Sequence, residues 1–160
     1  MSGGMIVQVL SCAGFLMFFA LLLRLSVEDI RTGFLHDRWV FPLALSGLCM
    51  AILGQRTIVS AVAGALLGGG LLLVVRILSH GGIGGGDVKL AAALGIWTGL
   101  SGILPALFVA FVLGSFWGIV LLLRGCGRRA KLPFGPCLAI GGIIGVFFGD
   151  EICALYEALF

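Results

Sequence analysis

Long apolar runs separated by short polar stretches dominate the sequence. Six of them lie at about residues 5–25, 39–53, 57–78, 88–100, 102–123 and 134–149. An α-helix needs roughly 20 apolar residues to cross a hydrocarbon core of about 30 Å. The pattern therefore predicts an all-α polytopic membrane protein, a bundle of about six transmembrane helices. No linker divides the chain, so residues 1–160 are expected to form a single transmembrane domain.

Composition supports the membrane prediction. Of the 160 residues, 61% are hydrophobic and only 11% are charged, which leaves too little polar surface to cover a soluble globule of this length. The first run is long for the apolar core of a secretory signal, and no positively charged segment precedes it. It is therefore expected to stay in the protein as a span.

The basic residues predict the orientation. If six spans thread back and forth, Arg56 falls on one side, and nine basic residues fall on the other: Arg24, Arg31, Arg38, Arg76, Lys89, Arg124, Arg128, Arg129 and Lys131. Lys and Arg are enriched in cytoplasmic loops. The loops after the first and third spans are therefore expected in the cytoplasm, and both termini outside. Because these residues flank spans, they predict contact with membrane lipid and not with nucleic acid.

The cysteines and histidines do not form a metal-site pattern. Five cysteines are scattered without a Cys-x-x-Cys pair: Cys12, Cys49, Cys126, Cys137 and Cys153. Such spacing is typical of small buried hydrophobic residues. His36 and His80 lie in polar loops without a third ligand. We expect neither a metal nor a cofactor.

Several of the 27 glycines are spaced four apart within the apolar runs: Gly64 and Gly68, Gly114 and Gly118, Gly141 and Gly145. This spacing lets helix backbones approach closely. It predicts a compact bundle. Its glycine-rich faces pack either within the chain or against a second copy, so a homo-oligomer is kept as an alternative.

One acid stands where lipid normally excludes ionised groups. Asp87 follows Gly84, Gly85 and Gly86 between two apolar runs, and ionisable residues in such places usually have a function. The glycines remove side chains that would crowd an approaching substrate. The alternative is a glycine-rich turn in which Asp87 is the N-cap of a helix beginning at Val88, and both can hold together. The spacing fits no nucleotide-binding motif.

A second acidic site, Glu28-Asp29, ends the first apolar run. Taken alone, Asp29 is more typical of an interfacial acid paired with Arg31 or Arg38, but in combination with Asp87 it predicts a catalytic pair. Two carboxyls brought together can share a water and titrate separately, so that one stays protonated while the other acts as base. Such a pair can hydrolyse an amide without a covalent intermediate. The prediction is an aspartyl protease at the cytoplasmic membrane edge.

Three blocks of the sequence resemble the type IV prepilin peptidases, membrane aspartyl proteases named for a Gly-x-Gly-Asp motif. They are Asp29-Ile30-Arg31-Thr32 with Asp37-Arg38, then Gly84-Gly85-Gly86-Asp87-Val88-Lys89-Leu90, and Pro133-Phe134-Gly135-Pro136. The resemblance implies Asp29 and Asp87 as the catalytic pair. It implies prepilins or pseudopilins as substrates, which lose a short basic leader, typically just after a glycine. It also implies the bacterial inner membrane and a role in type IV pili or protein secretion.

The sequence departs from the family pattern in two places. His36 stands where the first loop commonly has proline, which alters the loop shape expected around Asp29. Many bacterial members also carry an N-terminal cytoplasmic insertion with two Cys-x-x-Cys pairs, linked to methylation of the new N-terminus. This sequence has no such pair, so a short form without the zinc region is expected, and N-methylation is left open.

Three charged residues near the pair have alternative roles. Glu28 and Asp37 are candidates to attract the basic leader, or are surface acids that balance Arg31 and Arg38. Lys89 either anchors the start of the fourth span at the lipid headgroups or acts as a nearby cation on the aspartate before it. With the three glycines, these residues complete the candidate set for substrate binding and loop shape.

Two functions of other classes are kept as alternatives. A small ion- or proton-coupled membrane transporter would use the same aspartates, although such sites usually lie near the bilayer midplane and here both acids fall at span ends. A non-catalytic assembly subunit would tolerate asparagine at either position.

Overall fold

The computed structural model describes residues 3–124 and 133–159. Within them the protein has five helices and no strand: α1 (Gly3–Thr32), α2 (Asp37–Ile52), α3 (Ile58–Leu78), α4 (Gly85–Leu123) and α5 (Gly135–Leu159). The all-α prediction is confirmed. Four of these helices, α1, α3, α4 and α5, are long and apolar enough to cross a membrane, whereas α2 has 16 residues. The expected six spans therefore exceed what the described helices show.

The helix α4 is broken in its middle. Gly99 has a φ of 67° and a ψ of −171°, so the element consists of two arms, residues 85–98 and 100–123. Asp87 on the first arm and Gly114 on the second line the same cavity. A straight helix would separate them by about 40 Å at roughly 1.5 Å per residue. The arms therefore fold back on each other as a hairpin, and they correspond to two of the six apolar runs.

Polar groups hold the break at Gly99. The Leu100 N–H, which lies just after the break, donates to Ser60 Oγ at 3.0 Å. Ser101 Oγ on the second arm contacts Asp150 of α5, and Arg56 Nη2 lies 3.3 Å from Asp150 Oδ2. An unpaired backbone N–H is costly within apolar surroundings. This network thus fixes the turn at the end of the bundle opposite Asp29 and Asp87.

Glycines lie where the helices pack most closely against each other. A Cβ on Gly64 of α3 would overlap the Gly95 carbonyl oxygen of α4, and a Cβ on Gly145 of α5 would overlap the Gly102 carbonyl oxygen. The predicted packing role is confirmed for the pairs Gly64–Gly68 and Gly141–Gly145. A Cβ on Gly118 would meet nothing within 4 Å among the described residues, so for this glycine packing against a second copy stays a prediction.

A core that draws on all five helices positions the site. Trp97 on the first arm of α4 packs on Phe18 of α1 with ring centroids 4.5 Å apart. Its indole N–H donates to the Leu43 carbonyl of α2 at 2.9 Å, which satisfies the buried donor. These contacts join the helices that carry Asp29 and Asp87.

Candidate active site

Asp29 lies on a helix and not in a loop. The helix α1 continues to Thr32, seven residues past the apolar run that ends at residue 25, so Asp29 falls in its last turns. Its side chain is only 6% exposed, and Oδ2 accepts a 2.7 Å hydrogen bond from the backbone N–H of Gly135, the first residue of α5. A carboxylate is well placed at a helix N-terminus, where N–H groups are free. The alternative in which Asp29 pairs with Arg31 or Arg38 is wrong, since neither arginine forms an ion pair with it among the described residues.

Asp87 lies in the first turn of α4, at its third residue. The N-cap is Gly84, so the expectation of Asp87 as N-cap is wrong. Asp87 Oδ2 instead accepts a 3.1 Å hydrogen bond from the Gly84 N–H, while Oδ1 is buried without a hydrogen-bond partner among the described residues. Buried polar atoms are nearly always paired in folded proteins. The free oxygen therefore indicates a group that the site takes up, such as water or a substrate amide.

Both carboxyls line one cavity of about 660 Å³. They are close enough to interact electrostatically. Much of the remaining wall is apolar, from Phe34, Leu35, Ile83, Phe111 and Phe134. A concave apolar site with a few convergent polar groups is typical of a substrate-binding pocket. The structure thus brings together the two acids that the sequence singled out, which are 58 residues apart in the chain.

The three glycines before Asp87 each make room for a different neighbour. A Cβ on Gly84 would lie 2.9 Å from Asp87 Oδ2, and one on Gly86 would lie 2.6 Å from the Leu35 Cβ. A Cβ on Gly85 would overlap the Arg76 Nη1 atom. The same glycines line the cavity. They therefore pack the protein's own chain around Asp87, and an open path for substrate along them stays a prediction.

Residues 16–119 match the family model of the type IV leader peptidase family, and they include both acids of the cavity. The chain belongs to this family. The match covers α2, α3 and the first arm of α4 in full.

Curated relatives carry the printed name prepilin leader peptidase/N-methyltransferase. The chain is 40% identical to one from Burkholderia pseudomallei over 143 residues, covering 85% of this chain and 46% of the relative. It is 32% identical to one from Bacillus subtilis over 141 residues (87% and 57%) and 35% identical to one from Aeromonas hydrophila over 142 residues (84% and 49%). The chain thus spans about half the length of these relatives. No solved structure matches it.

Gly135, in the third block that resembles the family, gives a test of the geometry around Asp29. In Gly135→Ala the new methyl would lie 2.8 Å from Asp29 Oδ2 and 3.0 Å from its Cβ, so the carboxyl must move. Small displacements of a catalytic group cost up to about 100-fold in rate. If Asp29 is a catalytic acid of the peptidase, kcat for peptide cleavage should fall roughly 10- to 100-fold. Kinetics on purified protein would show this, with Gly118→Ala, which has open space, as matched control. An unchanged kcat would contradict the placement.

Glu28 faces His36 and is not among the residues that line the cavity. Its Oε1 lies 3.0 Å from His36 Nδ1, and its Oε2 is buried without a partner in the described part of the chain. The pair joins α1 to the segment before α2. In this member of the family, His36 therefore holds the loop whose residues 33–35 line the cavity. A role for Glu28 in leader binding stays a prediction.

Asp37 and Lys89 form an ion pair, with Lys89 Nζ 2.5 Å from Asp37 Oδ2. Asp37 begins α2 and Lys89 lies in the first turns of α4, so the contact links the two helix starts beside the cavity. The roles considered for Asp37 and Lys89 from the sequence did not include an ion pair between them. Both side chains are more than half exposed, which limits such a pair to about 0–1 kcal/mol.

Exchanging the charges of Asp37 and Lys89 distinguishes two roles for Asp37: linking the starts of α2 and α4, or attracting the basic leader. Asp37→Lys and Lys89→Asp are each expected to slow cleavage of a basic-leader substrate, by about two- to fivefold, because each puts like charges together. The double exchange should restore the rate to within about twofold, since the ion pair forms in reverse. If Asp37 instead attracts the leader, Lys89→Asp, which keeps Asp37 and adds a second acid beside it, cleaves at least as fast as the wild type. Initial rates for the four proteins decide between the two roles.

The cavity includes residues that the sequence did not single out as site residues. Phe111, Gly114 and Ser115 come from the second arm of α4, and Arg76 comes from the last turn of α3. The spacing of 111, 114 and 115 is that of one helix face, but only the hairpin brings this face to Asp87. Cys126, Arg128, Arg129 and Lys131 lie outside the described residues. Among those described, no group of three metal-binding side chains is found.

Proposed function

We propose that this protein is a membrane aspartyl endopeptidase that removes the basic leader from type IV prepilins or pseudopilins. The observation that carries the proposal is the meeting of two buried carboxyls, from α1 and α4, in one cavity with one carboxyl oxygen free. Family membership and the printed names of the relatives support the substrate class. The N-methyltransferase part of those names is not assigned to this chain.

The carboxyl pair can supply both proton transfers of peptide hydrolysis. The ionised member takes a proton from water as the water oxygen attacks the scissile carbonyl carbon, and the protonated member gives its proton to the carbonyl oxygen. As the tetrahedral diol collapses, the C–N bond breaks and the amine nitrogen takes the proton held by one carboxyl. One diol hydroxyl returns its proton to the other carboxylate, which restores the singly protonated pair. The products are a leader with a new carboxylate and a mature chain with a new amine. The pair acts as a unit, so the two roles belong to both residues together.

The charge distribution supports a cytoplasmic position of the site in the bacterial inner membrane. Basic side chains gather at the end of the bundle that holds the acids, where Arg24 lies over the Trp39 ring at 4.9 Å and Lys89 pairs with Asp37. Arg56 lies at the opposite end with Asp150. By the positive-inside rule, this distribution supports a cavity on the cytoplasmic side, where the basic leader of a membrane-anchored substrate is expected.

The apolar walls suit the part of the substrate that follows the cut. Phe111 and Phe134 pack on each other beside the acids, with ring centroids 5.6 Å apart. An apolar helix of the substrate would reach this wall from the lipid, while the basic leader stays at the headgroups. Both acids lie at helix ends and not in mid-helix, which favours this role over a transporter.

The proposal is tested with purified protein in liposomes and a substrate that has a basic leader, a Gly-Phe junction and an apolar helix. Mass spectrometry should find one new N-terminus, directly after the glycine. In the same liposomes, a pH-sensitive dye reports proton flux. Proton flux without cleavage would replace the peptidase by the transporter. Neither cleavage nor flux would favour an assembly subunit.

A further inference from the structure

Arg76 lies in the wall of the candidate catalytic cavity. Among the residues that the structure describes, it is the only Lys or Arg that lines this cavity. It lies in the last turn of α3 and is partly buried. None of the three blocks that carry the family resemblance contains it.

The chain makes space for this guanidinium. A Cβ on Gly85 would overlap the Arg76 Nη1 atom and would lie 3.3 Å from Cζ. Gly85 is the variable position of the Gly-x-Gly-Asp motif, and here it is also glycine. The guanidinium thus lies directly against the backbone two residues before Asp87.

Arg76 forms no ion pair within the described part of the chain. Its guanidinium makes no ion pair or hydrogen bond with any residue that the structure describes. The two acids that share the cavity accept their hydrogen bonds from backbone N–H groups instead. An arginine held at an apolar cavity wall, with its fork of donors free, is well suited to a planar anion.

We propose that Arg76 is a specificity residue that binds a carboxylate side chain of the substrate, on the C-terminal side of the cut bond. This rests on the proposed peptidase function. Arg76 repels a basic leader, so the leader must lie away from it, and the chain that follows the cut lies near it. A carboxylate entering this apolar wall needs a partner for its charge, and the guanidinium can bind it through two parallel hydrogen bonds.

The test uses prepilin-type peptides that carry a single Glu, Gln or Lys at successive positions after the cut. KM and kcat are measured for the wild type, Arg76→Gln and Arg76→Glu. Arg31→Gln, which removes an exposed arginine at the same end of the bundle, is the matched control. At one position the wild type should prefer Glu over Gln by about 10- to 100-fold, mainly in KM. Arg76→Gln should abolish this preference, and Arg76→Glu should favour Lys there.

Two results would overturn the proposal. In the first, Arg76→Gln slows all peptides equally, which assigns Arg76 a purely structural role. In the second, the effect follows the fraction of anionic lipid in the vesicles and not the peptide, which makes a headgroup phosphate the partner.

Binding of fluorescent peptides to the Asp29→Asn/Asp87→Asn double variant keeps the test independent of cleavage. If the wild type cuts nothing, the peptidase proposal fails. A Glu preference in binding that depends on Arg76 would then still support the carboxylate site, and its absence would remove it.

Discussion

Asparagine at position 29 or 87 is expected to abolish leader cleavage while leaving the protein folded. Each substitution keeps the size of the side chain but removes an acid that, in the proposed mechanism, exchanges a proton with water or substrate. General acid and base groups contribute about 100- to 10,000-fold each, and in a coupled pair the loss of either disables both. We therefore expect kcat to fall by at least about 1,000-fold in Asp29→Asn and in Asp87→Asn. Quantitative gel or mass-spectrometric assays of the purified variants would measure it.

The matched control removes a carboxylate elsewhere. Glu151→Gln, at an exposed position of α5, should keep wild-type activity. All variants should elute from size-exclusion chromatography as the wild type does, because each asparagine can still accept the backbone hydrogen bonds of Gly135 or Gly84. If either asparagine variant cleaves at more than about a tenth of the wild-type rate, that acid is not one of a catalytic pair.

Alanine at Gly64 is expected to destabilise the bundle strongly. The new Cβ would overlap the Gly95 carbonyl oxygen and would lie 2.7 Å from the carbonyl carbon of Gly99. Both contacts are with backbone, so no side chain can rotate away, and α3 must separate from the first arm of α4 and from the break at Gly99. Overpacking of this kind costs about 1–3 kcal/mol. We expect a lower midpoint of thermal unfolding in detergent, a smaller folded yield, and reduced cleavage because the turn at Gly99 shifts.

Gly70→Ala is the control for this prediction, because it makes the same change in the same helix. A Cβ at Gly70 would meet nothing within 4 Å among the described residues. Replacing a helix-interior glycine there should raise stability by roughly 0.5–1 kcal/mol. Equal unfolding midpoints for Gly64→Ala and Gly70→Ala would contradict the close approach of α3 and α4.

The sequence predicted the helices best where polar caps coincide with the ends of apolar runs. The run 57–78 matches α3, because Thr57 caps its first turn by accepting a hydrogen bond from the Ser60 N–H. By contrast, α1 continues through the polar residues that follow its apolar run. Hydrophobicity marks where a helix meets lipid, whereas the end of a helix is decided by local backbone hydrogen bonding. Asp29 was therefore expected in a loop and lies on a helix.

The break in α4 shows what the pattern could and could not predict. An interruption near residue 100 was visible, since the apolar runs end there and resume at 102. The reversal at Gly99 depends on Ser60, Arg56 and Asp150, which are distant in sequence. Because no local pattern joins these residues, the hairpin and the arrival of the second arm at the cavity required the structure.

The candidate site also has a part that the sequence could predict and a part that it could not. The pair of aspartates could be predicted, since acids at the ends of apolar runs are rare and point to function. The partner of Asp29 could not, because Gly135 is 106 residues away and acts through its backbone N–H. Arg76 was equally hidden, since as one of several basic residues at this end it contributed only to the orientation prediction. Its importance follows from the position of Gly85 beside it.

Hydrolysis in ¹⁸O-labelled water tests the central claim most directly. The purified protein is used in molar excess over one prepilin-type substrate, so that each enzyme molecule turns over at most once. The masses of both products are then measured by mass spectrometry. Hydrolysis by the two aspartates predicts one ¹⁸O atom in the new carboxylate of the leader and an unlabelled mature chain with a free amine. The Asp29→Asn/Asp87→Asn double variant should give no products. Cleavage by the double variant at the wild-type rate, or no cleavage by the wild type, would contradict it.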